Sequence, residues 1–357
     1  MSLGVGSTKG LAMHVLVIGS GKWSRVHLDA LGAVQSVDGI TLVGRNRLAV
    51  EAVAADYPNI RVFVGSWQDA LLRSDIDLVD IVVPHHLHYP VAIAAIAAGK
   101  HVICEKPGSL TLHEWDNLHA AANDASCRFL VIQNQLYDPS VQRIGQVIRS
   151  GAVGRPFLLV ENNYAAHATS YRQGGWRTRV DFAGGGVLID GGYHMVYKHL
   201  DWLAETAAPL WVDASTAQLH VSANGTFVPE QGEDFVSYTV GYEGPLRINA
   251  SHAWTLTADP LHPRLGFVAG TEATLEWVVS REAPLRLHTM GNDSTLLDSP
   301  TSLDRKESLK RCLADYVESI RTGRTPQHGS AILARQTLQL ILSVYRSARD
   351  GSRELLQ

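Results

Sequence analysis

Cysteine is scarce in this chain. Cys104, Cys127 and Cys312 are an odd number spread over 357 residues. That excludes a disulfide-stapled scaffold and suits reduced thiols, so a cytoplasmic location is expected. An excess of basic charge is missing too: 31 Lys and Arg stand against 35 Asp and Glu, a formal net charge of −4. Neither a nucleic-acid-binding surface nor a polybasic membrane patch is therefore expected. No apolar run approaches the ~18 residues of a membrane span. The opening ten residues, Met1 to Gly10, lack the long apolar stretch of a signal peptide and are expected to be unstructured. Internal repeats and low-complexity segments are absent as well. What remains is a chain with 45% hydrophobic residues, enough for a substantial core and long enough for two domains.

The first third alternates short β-rich runs with Ala- and Leu-rich helical stretches. Strands are expected over residues 14–18, 40–43, 61–64, 78–83, 101–104 and 129–132, with a helix over 91–98 closed by Gly99. Six strands with intervening helices predict a doubly wound parallel sheet. A helix is expected from Pro139 to Arg149. Beyond it the texture changes to long alternating runs at 157–163, 210–221, 234–240, 246–254 and 273–279, which predict a large, mostly antiparallel sheet. Two amphipathic helices, 308–321 and 331–348, close the chain. The fold class is α/β, with a dinucleotide-binding domain over residues 12–136 and a second, α+β domain with an open sheet over 137–357.

Three constellations carry chemistry. The first is Val15-Leu16-Val17-Ile18-Gly19-Ser20-Gly21-Lys22-Trp23-Ser24, a strand, a glycine turn and a helix start. Gly19 permits the turn and Gly21 lets backbone approach a pyrophosphate at the helix N-terminus, flanked by Lys22 and Trp23. Ser24 fills the third, usually glycine, position. After the second strand an NAD enzyme usually carries an acid for the ribose 2′-hydroxyl. Here Gly44-Arg45-Asn46-Arg47 stands instead, and no acid lies between Ile40 and Val50. Arg45, Asn46 and Arg47 suit a 2′-phosphate, which favours NADP(H) over NAD(H). Pro84, His85 and His88, after the fourth strand, are expected to border the same crevice. No metal site is expected there, because no Cys or carboxylate pattern accompanies the histidines.

The second is His101-Val102-Ile103-Cys104-Glu105-Lys106-Pro107. It places Glu105 and Lys106 at the C-terminal end of an inner strand, where open α/β sheets bind ligands. The third is Gly184-Gly185-Gly186-Val187-Leu188-Ile189-Asp190-Gly191-Gly192-Tyr193-His194. On a helix Asp190 and His194 share a face, and a carboxylate beside the imidazole raises its pKa. Gly191 and Gly192 cost ~1 kcal/mol each in a helix interior, a cost that close approach of a flat ligand explains.

Together with Tyr137-Asp138-Pro139, residues 151–156, Trp176-Arg177 and Thr322-Gly323-Arg324, this ordered set resembles the glucose–fructose oxidoreductase / inositol dehydrogenase / rhizopine-catabolism (Gfo/Idh/MocA) family over nearly the whole chain. The resemblance implies a Rossmann domain followed by an open-sheet domain. It implies hydride transfer between NAD(P) and a secondary alcohol of a sugar, cyclitol or related polyol. It also implies a homodimer or homotetramer formed through the open sheet. The family's catalytic set carries over onto Lys106, Asp190 and His194: His194 takes the hydroxyl proton, Asp190 orients the imidazole and Lys106 donates to the developing alkoxide. Trp176, Arg177 and Asn134 fall on the substrate side. Leu136 stands where many members carry Arg, and Tyr197 where an Asp often follows the histidine by three. Two other readings stay open: a redox-assisted glycoside hydrolase or lyase that retains its dinucleotide, and a non-catalytic dinucleotide-sensing regulator.

Overall fold

The structure, a computed structural model, describes residues 12–165, 175–219, 231–254, 256, 264–278, 285–291, 293–298 and 301–356. The opening ten residues, expected to be unstructured, lie outside that range, as do the ends of the runs 210–221 and 273–279.

The chain begins with a six-stranded parallel sheet of β1 (Met13–Ile18), β2 (Val37–Gly44), β3 (Arg61–Val64), β4 (Leu78–Ile81), β5 (His101–Cys104) and β6 (Phe129–Val131). Their order is β3-β2-β1-β4-β5-β6. This is the doubly wound arrangement whose switch point, between β1 and β4, binds dinucleotides. The strands read as continuous apolar runs because both faces are covered. Val15 and Val17 pack under α1 (Lys22–Leu31), and Leu16 and Ile18 under α4 (His88–Ala97) and α5 (Leu112–Asp124). Gly99, with φ of 72°, follows α4 in the left-handed conformation that ends a helix. Two shorter helices, α2 (Arg47–Ala54) and α3 (Trp67–Leu71), complete the crossovers.

After α6 (Pro139–Arg149) a nine-stranded sheet forms. Its strands are β7 (Pro156–Tyr164), β8 (Pro209–Ala217), β9 (Phe235–Tyr242), β10 (Arg247–Ala253), β11 (Arg264–Gly270), β12 (Ala273–Val278), β13 (Leu285–Thr289), β14 (Ser294–Leu297) and β15 (Glu354–Leu355). Only β7 and β10 pair in parallel; the other ladders are antiparallel. Its inner face buries Leu159, Val240, Ile248, Val268 and Leu275 against α6 and α8 (Tyr193–Leu203). A short helix, α7 (Val180–Ala183), precedes α8.

The closing helices reach back to the first sheet. Leu309, Leu313, Tyr316 and Val317 of α9 (Arg305–Thr322) join the core beside α1. Along α10 (Ala331–Asp350), Ala334 and Leu338 pack on the first sheet, while Leu340, Ile341 and Val344 pack on the second. One helix thereby fastens the two sheets across the crevice. No helix among the described residues is long and apolar enough to cross a membrane.

Candidate active site

A cavity of about 1110 Å³ runs from the glycine turn after β1, past the ends of β4 and β5, to the inner face of the second sheet. At Gly19 the backbone has φ of 126°, and a Cβ there would lie 2.1 Å from the Val82 carbonyl oxygen. Only glycine permits that passage between β1 and β4. Gly21, the N-cap of α1, has open space where a Cβ would stand, and no acid sits in the helix's first turn. Gly19 through Ser24 line the cavity. A helix N-terminus with exposed amides, no competing carboxylate and room above it fits a dinucleotide pyrophosphate. Ser24 is fully buried, and its Oγ makes no hydrogen bond.

The loop after β2 is divided between two uses. Asn46 caps α2, its Oδ1 accepting from the Ala49 amide at 3.1 Å. Arg47 pairs with Glu51 one helical turn on, at 3.1 Å on the surface. Both side chains contribute to the start of α2: the Asn side chain satisfies an orphan amide, and the Arg sits at i, i+4 to an acid. Arg45 is exposed and forms no ion pair among the described residues.

The histidines after β4 hold backbone. His88 is fully buried, with Nδ1 2.6 Å from Pro107 O and Nε2 2.8 Å from Val83 O. It ties the exit of β4 to the Lys106-Pro107 turn through both ring nitrogens. His85 places Nδ1 2.9 Å from Ala183 O, and its ring meets the edge of Trp176. Burial and the nearby Lys106 push the His85 imidazole down to about 3. Pro84, His85 and His88 do border the cavity.

Under the glycine turn lies a charged network that the sequence reading missed. His27, on the buried side of α1, stands 2.8 Å from Asp80 of β4 and 3.0 Å from Glu105. Glu105 also accepts from Trp23 Nε1 at 2.8 Å. Burial alone would strip His27 of its proton, but the carboxylates of Asp80 and Glu105 outweigh it and raise the imidazolium to about 10. Glu105 is held at about 2: burial opposes ionisation, and His27 and Lys106 overcome it. The signal was present in the sequence as a carboxylate, Asp80, inside the inner strand Leu78–Ile81.

Lys106 is 9% exposed. Its ammonium donates to Asp190 Oδ1 at 2.8 Å and to the Asp190 carbonyl at 2.6 Å, which leaves one N–H for the cavity. Arg177 approaches the other Asp190 oxygen at 3.5 Å and stacks over Trp176. Burial works against the Asp190 carboxylate, yet Lys106, His85 and Arg177 hold it well below the usual range. Asp190 lies in a π-helical turn, Leu188–Gly192, ahead of α8. The wider turn rotates its carboxylate toward Lys106. The expected Asp190–His194 pair therefore does not form; His194 Nδ1 instead faces the Tyr197 hydroxyl at 2.8 Å. The expected rise in the His194 pKa is reversed as well. Burial first, then Lys106 and Arg305, hold the imidazole well below its ordinary value.

Protein packs closely on the glycines of this segment. A Cβ on Gly191 would crowd His252 and Trp254, at 3.0 and 3.2 Å, and one on Gly186 would lie 1.9 Å from Glu233 O. Strand β10 and the segment before β9 press directly against this turn. Glu233 also accepts from the amides of Gly186 and Leu188, at 2.7 and 2.9 Å, and so caps the helical segment that carries Asp190 and His194.

Asn134, Trp176 and Arg177 line the cavity, as do three residues the sequence reading did not single out: Glu161 and Asn163 of β7 and Lys198 of α8. Lys198 donates to Glu161 at 2.8 Å, and His199 meets the other Glu161 oxygen at the same distance.

The comparisons with known proteins agree with this geometry. Residues 13–133 match the model described as an oxidoreductase family with an NAD-binding Rossmann fold, and residues 141–276 match the GFO/IDH/MocA C-terminal domain. Levoglucosan dehydrogenase of Pseudarthrobacter phenanthrenivorans is 32% identical over 186 residues, 50% of this chain and 45% of that protein. D-apiose dehydrogenase of Paraburkholderia graminis is 24% identical over 349 residues, 94% of this chain and 87% of that one. Among solved structures, levoglucosan dehydrogenase in complex with NADH superposes with a TM-score of 0.83 at 19% identity, covering 97% of this chain and 99% of that one. Aldose-aldose oxidoreductase from Caulobacter crescentus, complexed with glycerol, gives 0.80 at 20% identity, covering 96% and 99%. Two matched domains in order, a switch-point crevice and a glycine turn over a helix N-terminus lead to one conclusion: the chain belongs to the Gfo/Idh/MocA family of oxidoreductases, with its NAD-binding Rossmann fold, and is a dehydrogenase or reductase.

Proposed function

We propose that this chain is an NADP(H)-preferring oxidoreductase acting at a secondary alcohol carbon of a sugar, cyclitol or related polyol, with Lys106, Asp190 and His194 as its catalytic set. The observation that carries the reading is one cavity that joins the glycine turn to the Lys106–Asp190 pair and His194. The bound nicotinamide supplies or takes up the hydride. The remaining work falls to the chain. Lys106, with its third N–H, and His194, with its second ring nitrogen, both line the cavity and would meet the oxygen of the reacting carbon there. Asp190 aims the Lys106 ammonium. Glu161, Asn163 and Lys198 offer alternating donors and acceptors of the kind neighbouring hydroxyls require. Relatives named as levoglucosan, D-apiose and 1,5-anhydro-D-fructose enzymes favour a sugar-like substrate.

The cofactor preference rests on Arg45, an unpaired guanidinium beside a strand end with no acid to meet a 2′-hydroxyl. Bound ligand raises apparent stability by RT ln(1 + [L]/Kd), so a thermal-shift comparison reads the preference directly. NADP(H) is expected to raise Tm more than NAD(H) at equal concentration, and Arg45→Ala is expected to abolish the difference. A larger shift with NAD(H) in the native protein would refute the preference.

The reading extends to assembly through the outer face of the second sheet. Half-buried Val160 and Phe267, paired in register, lie on the face opposite Leu159 and Val268, away from α6 and α8.

A further inference from the structure

We infer that Tyr197 fixes His194 as the neutral tautomer protonated at Nε2, so that His194 holds the substrate oxygen by donating to it while Lys106 carries the proton that oxygen gains or loses. The inference rests on the reading above that both side chains meet the reacting oxygen.

The hydrogens available around Tyr197 fix the tautomer. The Tyr197 hydroxyl accepts from the Gln135 amide at 3.0 Å and lies 2.8 Å from His194 Nδ1. Tyr197 is fully buried, and among the described residues its hydroxyl proton has one acceptor in reach, that Nδ1. Were Nδ1 to carry a proton and donate, the phenol would accept twice and its own proton would be buried with no acceptor. The arrangement that leaves nothing unpaired has Tyr197 donating to Nδ1, with the imidazole proton on Nε2. Among the described residues Nε2 makes no hydrogen bond, and His194 lines the cavity, so the N–H is directed at the ligand.

A carboxylate three residues after the histidine would do the opposite, accepting from Nδ1–H and favouring the imidazolium. A phenol does neither. The charges around His194 reinforce the neutral form. Lys106 faces it from the end of β5 and Arg305 from the start of α9, and each outweighs the opposing influence of Glu105 or Asp190. With Nδ1 occupied and Nε2 already protonated, His194 has no lone pair to act as a base. The proton balance therefore closes on Lys106. When a carbonyl is reduced, its carbon takes the hydride that the bound nicotinamide would supply, its π pair moves to oxygen, an N–H bond of the Lys106 ammonium breaks as the O–H bond forms, and the amine regains a proton from water. Oxidation reverses each change. Tyr197 is a positioning residue in this scheme, acting through His194.

Two-bond ¹H–¹⁵N correlation spectra of the full-length, histidine-labelled protein read the tautomer without turnover. The His194 pattern is assigned by its loss in His194→Gln. At neutral pH it is expected to show Nε2 protonated and Nδ1 as a bare acceptor. Tyr197→Phe, which keeps the ring and deletes the hydroxyl, is expected to mix the tautomers and to lower kcat about tenfold to a hundredfold. Tyr193→Phe, a buried neighbour on the same helix, should leave the pattern unchanged. An Nδ1-protonated or imidazolium pattern in the native protein overturns the inference, as does a pattern indifferent to Tyr197→Phe. Either result can be read even if every sugar tested proves inert, which separates this inference from the substrate reading.

Discussion

Lys198 is the residue whose burial most needs a reason. It sits four positions after His194 on α8 and therefore on the same face of the helix. Its ammonium reaches Glu161 and leaves two N–H groups uncommitted beside the cavity. Burying an ion pair against a sheet seldom adds stability, and an apolar pair of similar size serves as well or better. A pair retained there makes sense as a handle for substrate hydroxyls one helical turn from the reacting carbon. Removing both charges together avoids leaving either one unpaired. The double variant Glu161→Gln with Lys198→Met is expected to keep its Tm within a few degrees and its cofactor affinity unchanged, while KM for the sugar rises about tenfold. An unchanged KM would remove these residues from the substrate site.

At the scale of elements, His27 joins α1 to β4 and β5 through Asp80 and Glu105. Its folded pKa, about 10, lies above the ordinary 6.5. The native state therefore binds a proton that the unfolded chain has released, and the resulting stability is fully present below pH 6.5 and is lost as pH rises toward 10. Urea denaturation across that window should show falling stability, and His27→Gln should flatten the slope. A native protein with equal stability at both ends of the window would contradict the charged form.

The elements also explain what the sequence could and could not reveal. The inner strands of the first sheet were legible because burial on both faces writes continuous apolar runs such as Val15 to Ile18. Strand β11 was not, because Gly266 lies under Trp277, where a Cβ would stand 2.2 Å from the indole, and glycine erases the alternation. Strands β13 and β14 are short, and most of their side chains lie at or near the surface, so they carry little pattern. Asp190 and His194 were legible as a pair by spacing alone. The π-helical turn that parts them depends on the contacts with Glu233 and β10, which come from far along the chain.

For the whole molecule, the crevice is a joint product of both halves. Lys106 comes from the first sheet, Asp190 from the turn leading into α8, His194 from the start of α8, and α10 packs on both sheets. Other parts of the ordered motif set converge the same way. Tyr137 donates to Asp315, which also accepts from Arg324, so pieces far apart in sequence meet behind the site. The outer face of the second sheet is the surface proposed for assembly. Light scattering on the purified protein is expected to give a mass of two or four chains, and Val160→Glu with Phe267→Glu to give one. A monomeric native protein would rule that assembly out.

The central claim is that Lys106, held by Asp190, acts on the substrate rather than on folding or cofactor capture. Reduced-nicotinamide absorbance followed over a sugar and cyclitol panel, for the native protein and for Lys106→Ala, tests it most directly. The account predicts substrate-dependent turnover in the native protein and a kcat at least about a hundredfold lower in the variant, with dinucleotide affinity nearly unchanged. Undiminished turnover in Lys106→Ala would contradict it.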